Sequence, residues 1–154
     1  MSLKWDRKFL QLALTIAGWS KDPSTQVGCV VVGPDREIRS TGYNGLPRGC
    51  NDDAPGVNER PYKYFVYEHA ERNSLANAAR MGTPMQGCTL YVTSTPSKFG
   101  CCHDCCRMII QCGIQRVVQE PMGGEAMVRW SESMTIGADL LNQAGVVLDH
   151  VSLE

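Results

Sequence analysis

The order of apolar segments is the feature that most restricts how this chain can fold. Segments with helical periodicity alternate with short apolar runs that are typical of buried strands. The pattern predicts, in order, a helix over about 3–19, strands over 26–33 and 37–43, a helix over about 70–80, a strand over 88–94, a helix over 102–112, a strand over 114–118, a helix over about 131–144 and a final strand in VVLDHV. This α-β-β-α-β-α-β-α-β order predicts an α/β fold, a three-layer α/β/α sandwich with a mixed five-stranded sheet that is antiparallel at its first hairpin.

One long polar stretch, 44–63, interrupts this pattern and is rich in Gly, Pro, Asn and Asp. Loops of this length in a compact domain are usually functional or mobile. The sequence shows no internal repeat, low-complexity run or linker. Residues 1–154 are therefore expected to form a single domain of ordinary size.

The charge pattern argues against several classes of protein. A net charge of −1 is unlike the basic surface of proteins that bind nucleic acids nonspecifically, and no stable nucleic-acid partner is expected. Asp6, Arg7 and Lys8 interrupt the N-terminal apolar positions, so no secretory signal is expected. No apolar run approaches the length of a membrane span. We therefore expect a cytoplasmic protein, in which clustered cysteines indicate metal binding or catalysis more often than disulfides.

Two short motifs predict a metal site. His69 and Glu71 open one predicted helix, and Cys102 and Cys105 open the next, so both helix starts can meet at one edge of the sheet. One imidazole and two thiolates form a zinc site with a fourth position open to water. Bound zinc lowers the pKa of that water towards about 7. Glu71 lies two residues from His69 and so off its helix face, which predicts a proton shuttle instead of a fourth ligand.

The cysteine cluster CCHDCC, 101–106, leaves the metal register to be decided. Only Cys102 and Cys105 are a C-x-x-C pair that matches the H-x-E…C-x-x-C pattern of the zinc deaminases. In that pattern a proline usually precedes the first cysteine, and Cys101 takes its place here. Cys101, His103 and Cys106 remain candidates for a distorted or second metal site.

Four stretches together carry a narrower resemblance: SKDPSTQVG, GYNGLPRGC followed by NDD, KYFVYEHAERN and CHDCCRMIIQCGI. They resemble the deoxycytidylate (dCMP) deaminase family over roughly residues 20–118, and LLNQAGV (140–146) extends the similarity. The resemblance implies a cytidine-deaminase-like sandwich and the zinc-dependent hydrolysis of dCMP to dUMP and ammonia, which supplies thymidylate synthesis. In this interpretation His69, Cys102 and Cys105 hold zinc, and Glu71 moves protons between the water and the cytosine ring.

The resemblance also implies further binding residues. Asn44 is expected to face the sugar, backbone groups near Ala70 the base, and Ser24 and Thr25 the 5′-phosphate. The family is activated by dCTP with Mg²⁺, inhibited by dTTP and usually hexameric. The effector site is expected in the stretch Gly42, Tyr43, Asn44, Gly45, Leu46, Pro47, Arg48 and Gly49. There the glycines allow close backbone approach and the arginine offers a fork for phosphate. One departure is the absence of a tryptophan that is common in the loop after NDD.

Two classes of alternative remain open from the residues alone. The chain could be a zinc deaminase for another substrate: cytidine, dCTP, guanine, a riboflavin precursor or adenosine in tRNA. The tRNA enzyme should have a basic face, which is not evident here, and a free-nucleoside enzyme does not need a phosphate loop. The other class is a non-catalytic structural zinc module. A Glu71 that moves protons would distinguish an enzyme from such a module.

Overall fold

The computed structural model describes residues 1–124 and 126–154. Their secondary structure follows the predicted order with one added helix. The elements are α1 (Leu3–Ala17), β1 (Gln26–Val32), β2 (Ile38–Tyr43), α2 (Lys63–Val66), α3 (Ala70–Met81), β3 (Thr89–Thr95), α4 (His103–Gln111), β4 (Arg116–Gln119), α5 (Ala126–Gln143) and β5 (Val147–His150).

The strands form one mixed five-stranded sheet in the order β2-β1-β3-β4-β5. Strand β1 is antiparallel to both β2 and β3, whereas β3, β4 and β5 are parallel. The hairpin between β1 and β2 needs only a short turn, and the parallel strands are joined through α4 and α5, as crossover connections require. The carboxyl end of β3 therefore leads directly into the segment before α4.

Each face of the sheet has its own apolar core, because side chains alternate along the strands. Val30 and Val32 of β1 pack with α1 on one face, and Cys29 and Val31 pack with α3 and α4 on the other. Leu141 of α5 belongs to the second core. The predicted three-layer α/β/α sandwich with a mixed five-stranded sheet is confirmed.

Two boundaries differ from the sequence prediction. Helix α2, Lys63–Val66, lies at the end of the stretch expected to be loop, and its four residues are too few to show helical periodicity. Helix α5 begins at Ala126, about one turn before the predicted start. Met127 and Val128 in that first turn are exposed, so they do not form the apolar stripe by which a helix is found in a sequence.

The described part of the chain contains no helix with the length and apolar character needed to cross a bilayer.

Candidate active site

Two helix starts meet at one edge of the sheet, as the sequence predicts. His69 is the N-cap residue of α3, and Cys102 is the N-cap residue of α4. Both residues have extended backbone conformations, so each lies just before the first helical turn. The N-terminus of a helix favours a thiolate because its first N–H groups are free and its dipole is positive there.

Helix α3 reaches this position because β2 has a glycine beneath it. A Cβ atom at Gly42 would lie 2.4 Å from both the carbonyl oxygen of Ala70 and the backbone nitrogen of Ser74. Any side chain at this position would therefore push the first turn of α3 away from the sheet. Gly42, expected at the effector site, thus also sets the position of the helix that begins beside His69.

His69, Cys102 and Cys105 are brought together with the spacing of a metal site. The Nδ1 atom of His69 lies 3.4 Å from Cys102 Sγ and 3.5 Å from Cys105 Sγ. Tetrahedral zinc, with Zn–N of about 2.0–2.1 Å and Zn–S of about 2.3 Å, separates nitrogen from sulfur by roughly 3.5 Å. All three ligand atoms lie within 4.8 Å of one another. The residues therefore fit a zinc ion with three protein ligands.

The two thiols differ in their tendency to ionise. The pKa of Cys102 falls to about 4 because its sulfur accepts a hydrogen bond from the Cys105 thiol and lies beside His69, although burial opposes the shift. The pKa of Cys105 rises well above its usual range because its thiol donates to Cys102 and is buried. Burial alone would lower the pKa of His69, but the hydrogen bond with Cys102 and the charge of Glu71 raise it overall. Of the two thiols, Cys102 is therefore the one that ionises more readily.

Glu71 lies beside this cluster and does not belong to it. Its side chain is buried, with the residue only 4% exposed, and burial raises its pKa. Glu71 and Ala70 both line the cavity that opens above the cluster. A buried carboxyl with a raised pKa is suited to accept and return a proton near neutral pH.

The space in this cavity, including its open mouth, amounts to about 810 Å³. Trp130 and Tyr64 form one wall, with ring centroids 5.9 Å apart and nearly perpendicular planes. The Trp130 ring also meets the His69 ring edge-on at 6.2 Å. Phe99 and Met134 complete the apolar lining, so the floor of the cavity is partly shielded from water.

A buried polar network supports the opposite wall. Lys63 Nζ lies 2.6 Å from Asp22 Oδ2 and donates to Ser24 Oγ at 2.7 Å. Asn44 donates to Asp22 Oδ2 and to the Thr25 carbonyl, and its own oxygen accepts from the Val27 N–H at 2.8 Å. Asn44 lines the cavity, but every polar group of its side chain is used within the protein. Its expected contact with the sugar remains a prediction.

The backbone donors of Ser24 and Thr25 are not free to bind a phosphate in this arrangement. Their backbone N–H groups both donate to Asp22 Oδ1, at 2.9 and 3.2 Å, and Ser24 Oγ also donates there. Thr25 lines the cavity, whereas Ser24 does not. The expected phosphate contact of Ser24 and Thr25 stays a prediction, and their backbone N–H groups are already used around the buried Asp22 carboxylate.

The expected effector stretch borders a second cavity of about 670 Å³. Five of its eight residues line this cavity, namely Gly42, Tyr43, Gly45, Leu46 and Arg48. Asn44 faces the first cavity instead, and Pro47 and Gly49 line neither. The wall also contains Asn77, whose side-chain oxygen accepts a hydrogen bond from Arg48 at 2.6 Å.

The other members of the CCHDCC cluster point elsewhere. Cys106 Sγ faces the carbonyl oxygen of Cys101 at 3.7 Å, and His103 Nδ1 lies 2.7 Å from Ser133 Oγ. Within residues 1–124 and 126–154, the only group of three or more potential ligands with metal-site spacing is His69, Cys102 and Cys105. The second metal site considered from the sequence is therefore not formed there.

The sequence pattern does not single out several residues of the cavity wall. Among them are Arg60, Lys63, Arg129 and Trp130, all of which line the cavity. The stretch that resembles the deaminases does include Lys63, which was the one available signal. Arg129 and Trp130 lie in the early turns of α5, where no sequence pattern marked a site.

Comparisons with known proteins agree on one family. Residues 3–120 match the model for the cytidine and deoxycytidylate deaminase zinc-binding region. An uncharacterized deaminase from the luxG 3′ region of Aliivibrio fischeri is 38% identical over 154 residues, covering 100% of this chain and 98% of the relative. Human deoxycytidylate deaminase is 37% identical over 121 residues, covering 75% of this chain and 64% of the human protein. The chain therefore spans a little under two thirds of the human relative's length.

The structures lead to the same fold. The dCMP deaminase of the cyanophage S-TIM5, in its apo form, superposes with a TM-score of 0.75 at 25% identity, covering 98% of this chain and 100% of the phage chain. A second crystal structure of the phage enzyme contains dCMP and dUMP.

Proposed function

Because the chain belongs to the cytidine and deoxycytidylate deaminase family, we propose that it hydrolyses dCMP to dUMP and ammonia. The observation that carries the proposal is the His69–Cys102–Cys105 triangle at the floor of an open cavity, with buried Glu71 beside it. The human and phage relatives are named for this substrate, which favours dCMP over other amino-bearing bases.

His69, Cys102 and Cys105 would hold the zinc ion, which supplies a Lewis acid that activates water at neutral pH. Glu71 accepts the proton that the water loses and passes it to N3 of the cytosine ring. The same carboxylate then takes the remaining proton from the oxygen now bonded to C4 and delivers it to the amino group, which leaves as the C4–N bond breaks. Overall, C4 gains the water oxygen and loses its nitrogen as ammonia. The N–H of Ala70, in the first turn of α3, has no acceptor within the helix and can hold a polar atom of the base.

The direct test incubates zinc-loaded protein with dCMP, deoxycytidine, cytidine, dCTP or guanine. The release of ammonia measures the rate of deamination. We expect the highest kcat/KM for dCMP. Equal kcat/KM values for dCMP and deoxycytidine would contradict a nucleotide-specific enzyme. Turnover of none of these compounds by protein that contains one zinc per chain would contradict the proposed reaction and favour a structural zinc module.

We also propose that dCTP, with Mg²⁺, activates the enzyme and that dTTP inhibits it, both through the second cavity. Arg48 at the wall supplies a planar cation for a phosphate chain, and Tyr43 and Trp19, with ring centroids 6.2 Å apart, supply aromatic surface for a base. Substitution of Arg48 by Gln should remove the response to both effectors. Retention of both responses would place the effectors elsewhere.

The remaining features follow from the same proposal. A dCMP deaminase would feed thymidylate synthesis from the cytoplasm, and we propose a homo-oligomer, a hexamer, as its working form. Tyr62, just before α2, and Phe65, within it, are 55% and 80% exposed, and such large apolar side chains are suited to a subunit contact. Light scattering in solution tests the oligomer, and a monomeric mass would contradict it.

A further inference from the structure

The mouth of the active-site cavity contains two cations that form no ion pair within residues 1–124 and 126–154. The charged side chains on the wall, besides the zinc ligands, are Asp22, Arg60, Lys63, Glu68, Glu71 and Arg129. Four of these are already matched or buried: Asp22 pairs with Lys63 at 2.6 Å, Glu68 pairs with Arg72 at 2.5 Å, and Glu71 is buried. The ion pairs formed by the described residues do not include Arg60 or Arg129.

The two arginines come from distant parts of the sequence and meet at one aromatic ring. Arg60, just before α2, places its guanidinium carbon 5.9 Å from the centroid of the Tyr64 ring. Arg129, in the early turns of α5, has Nη1 3.3 Å from the Tyr64 hydroxyl. Both side chains are exposed, so their charge is available to a ligand at the mouth. A pair of forked cations around one ring can hold several oxygens of a single phosphate.

The aromatic wall sets the distance between this pair and the reacting atom. From Tyr64, the Trp130 ring lies 5.9 Å away, and the His69 ring lies a further 6.2 Å from Trp130. The arginines are thus two aromatic rings from the zinc ligand. In a cytosine nucleotide C4 lies opposite the sugar-bearing N1, so a base with C4 at Glu71 directs its sugar and phosphate towards the mouth.

We propose that Arg60 and Arg129 together bind the 5′-phosphate and so determine the preference for a nucleotide over a nucleoside. This rests on the proposed deamination of dCMP. It replaces Ser24 and Thr25 as the phosphate site, because the backbone N–H groups of that loop donate to Asp22. Each guanidinium then forms charge-assisted hydrogen bonds that deoxycytidine cannot receive.

The experiment measures the ratio of kcat/KM for dCMP to kcat/KM for deoxycytidine. Arg60→Gln and Arg129→Gln should each lower this ratio roughly 10- to 100-fold, and the double variant should bring it close to unity. Arg80→Gln, an exposed arginine in the last turn of α3 that does not line the cavity, is the matched control and should not change the ratio. Melting temperature and zinc content identify any variant that fails to fold.

Two results would overturn the assignment. The first is an unchanged ratio in the folded double variant. The second is a ratio that falls only in Ser24→Ala, which would return the phosphate to the loop around Asp22.

A binding measurement separates this inference from the proposed reaction. Calorimetry with dUMP and deoxyuridine needs no turnover. The wild-type protein could bind dUMP more tightly than deoxyuridine without deaminating dCMP, and the double variant could lose that difference in affinity. This result would support the phosphate site and contradict the proposed reaction. Equal affinity of the wild-type protein for dUMP and deoxyuridine would overturn the phosphate site whatever the activity.

Discussion

The buried pair of Lys63 and Asp22 allows a quantitative prediction for stability. The side chains of Lys63 and Asp22 are 8% and 2% exposed, and their charged atoms lie 2.6 Å apart. Removal of one partner of a buried pair leaves an uncompensated charge and costs about 3–5 kcal/mol. Asp22 would keep its hydrogen bonds from the Ser24 and Thr25 N–H groups and from Asn44. We therefore expect Lys63→Met to lower the free energy of unfolding by about 3 kcal/mol, the lower end of that range.

A double-mutant cycle tests the reasoning. Urea unfolding of zinc-loaded Lys63→Met, Asp22→Asn and the double variant should be followed at one fixed free zinc concentration, since bound metal stabilises the folded state. The double variant should lose about 2 kcal/mol less than the sum of the single variants, because it contains no orphaned charge. A loss below about 1 kcal/mol in Lys63→Met, or additivity within about 0.5 kcal/mol, would refute the claim that the two charges depend on each other.

Three more predictions concern the pH dependence, the glycine beneath α3 and the metal register. Burial alone would raise the pKa of Asp22, but Lys63 and nearby N–H groups lower this pKa overall. The contribution of the Asp22 carboxylate to the free energy of unfolding is therefore complete above its unfolded pKa of about 3.9, and it is lost as pH falls through the lower folded pKa. The stability difference between wild type and Asp22→Asn, from urea unfolding, should therefore shrink below about pH 4, and a constant difference would contradict the assignment. Gly42→Ala should lower the free energy of unfolding by about 1–3 kcal/mol or more and weaken zinc binding, since the new Cβ would lie 2.4 Å from the carbonyl oxygen of Ala70. A wild-type zinc affinity of this variant in a competition titration would contradict the prediction. Elemental analysis should find zinc retained in Cys101→Ser and lost in Cys102→Ser, and the reverse would move the ligand register by one residue.

The sequence predicted those parts of the structure that depend on local pattern. Apolar periodicity placed α1, α3 and α4 within about two residues of their observed bounds, and it placed every strand of the sheet. The cluster of His69, Cys102 and Cys105 was also predictable, because these are metal-binding residue types at the starts of consecutive long helices. Their residue types and their places along the chain are both local facts.

The phosphate side of the cavity depends on contacts that the sequence pattern does not contain. Asp22 is 41 residues from Lys63, and the two side chains pair only once the fold brings them together. Arg129 and Tyr64 are 65 residues apart, and Arg129 lies in the early part of α5. The exposed first turn of that helix carries no apolar signal in the sequence, and neither long-range contact follows from a local pattern.

The role of Glu71 is the claim on which the proposed chemistry depends. The most direct measurement is dCMP turnover by Glu71→Gln beside the wild-type protein, with both loaded to one zinc per chain. The proposed mechanism predicts that the variant keeps its zinc and its affinity for dUMP but loses turnover by several orders of magnitude, because the amide cannot move a proton. Turnover within about tenfold of wild type at full zinc occupancy would contradict the assigned proton transfer.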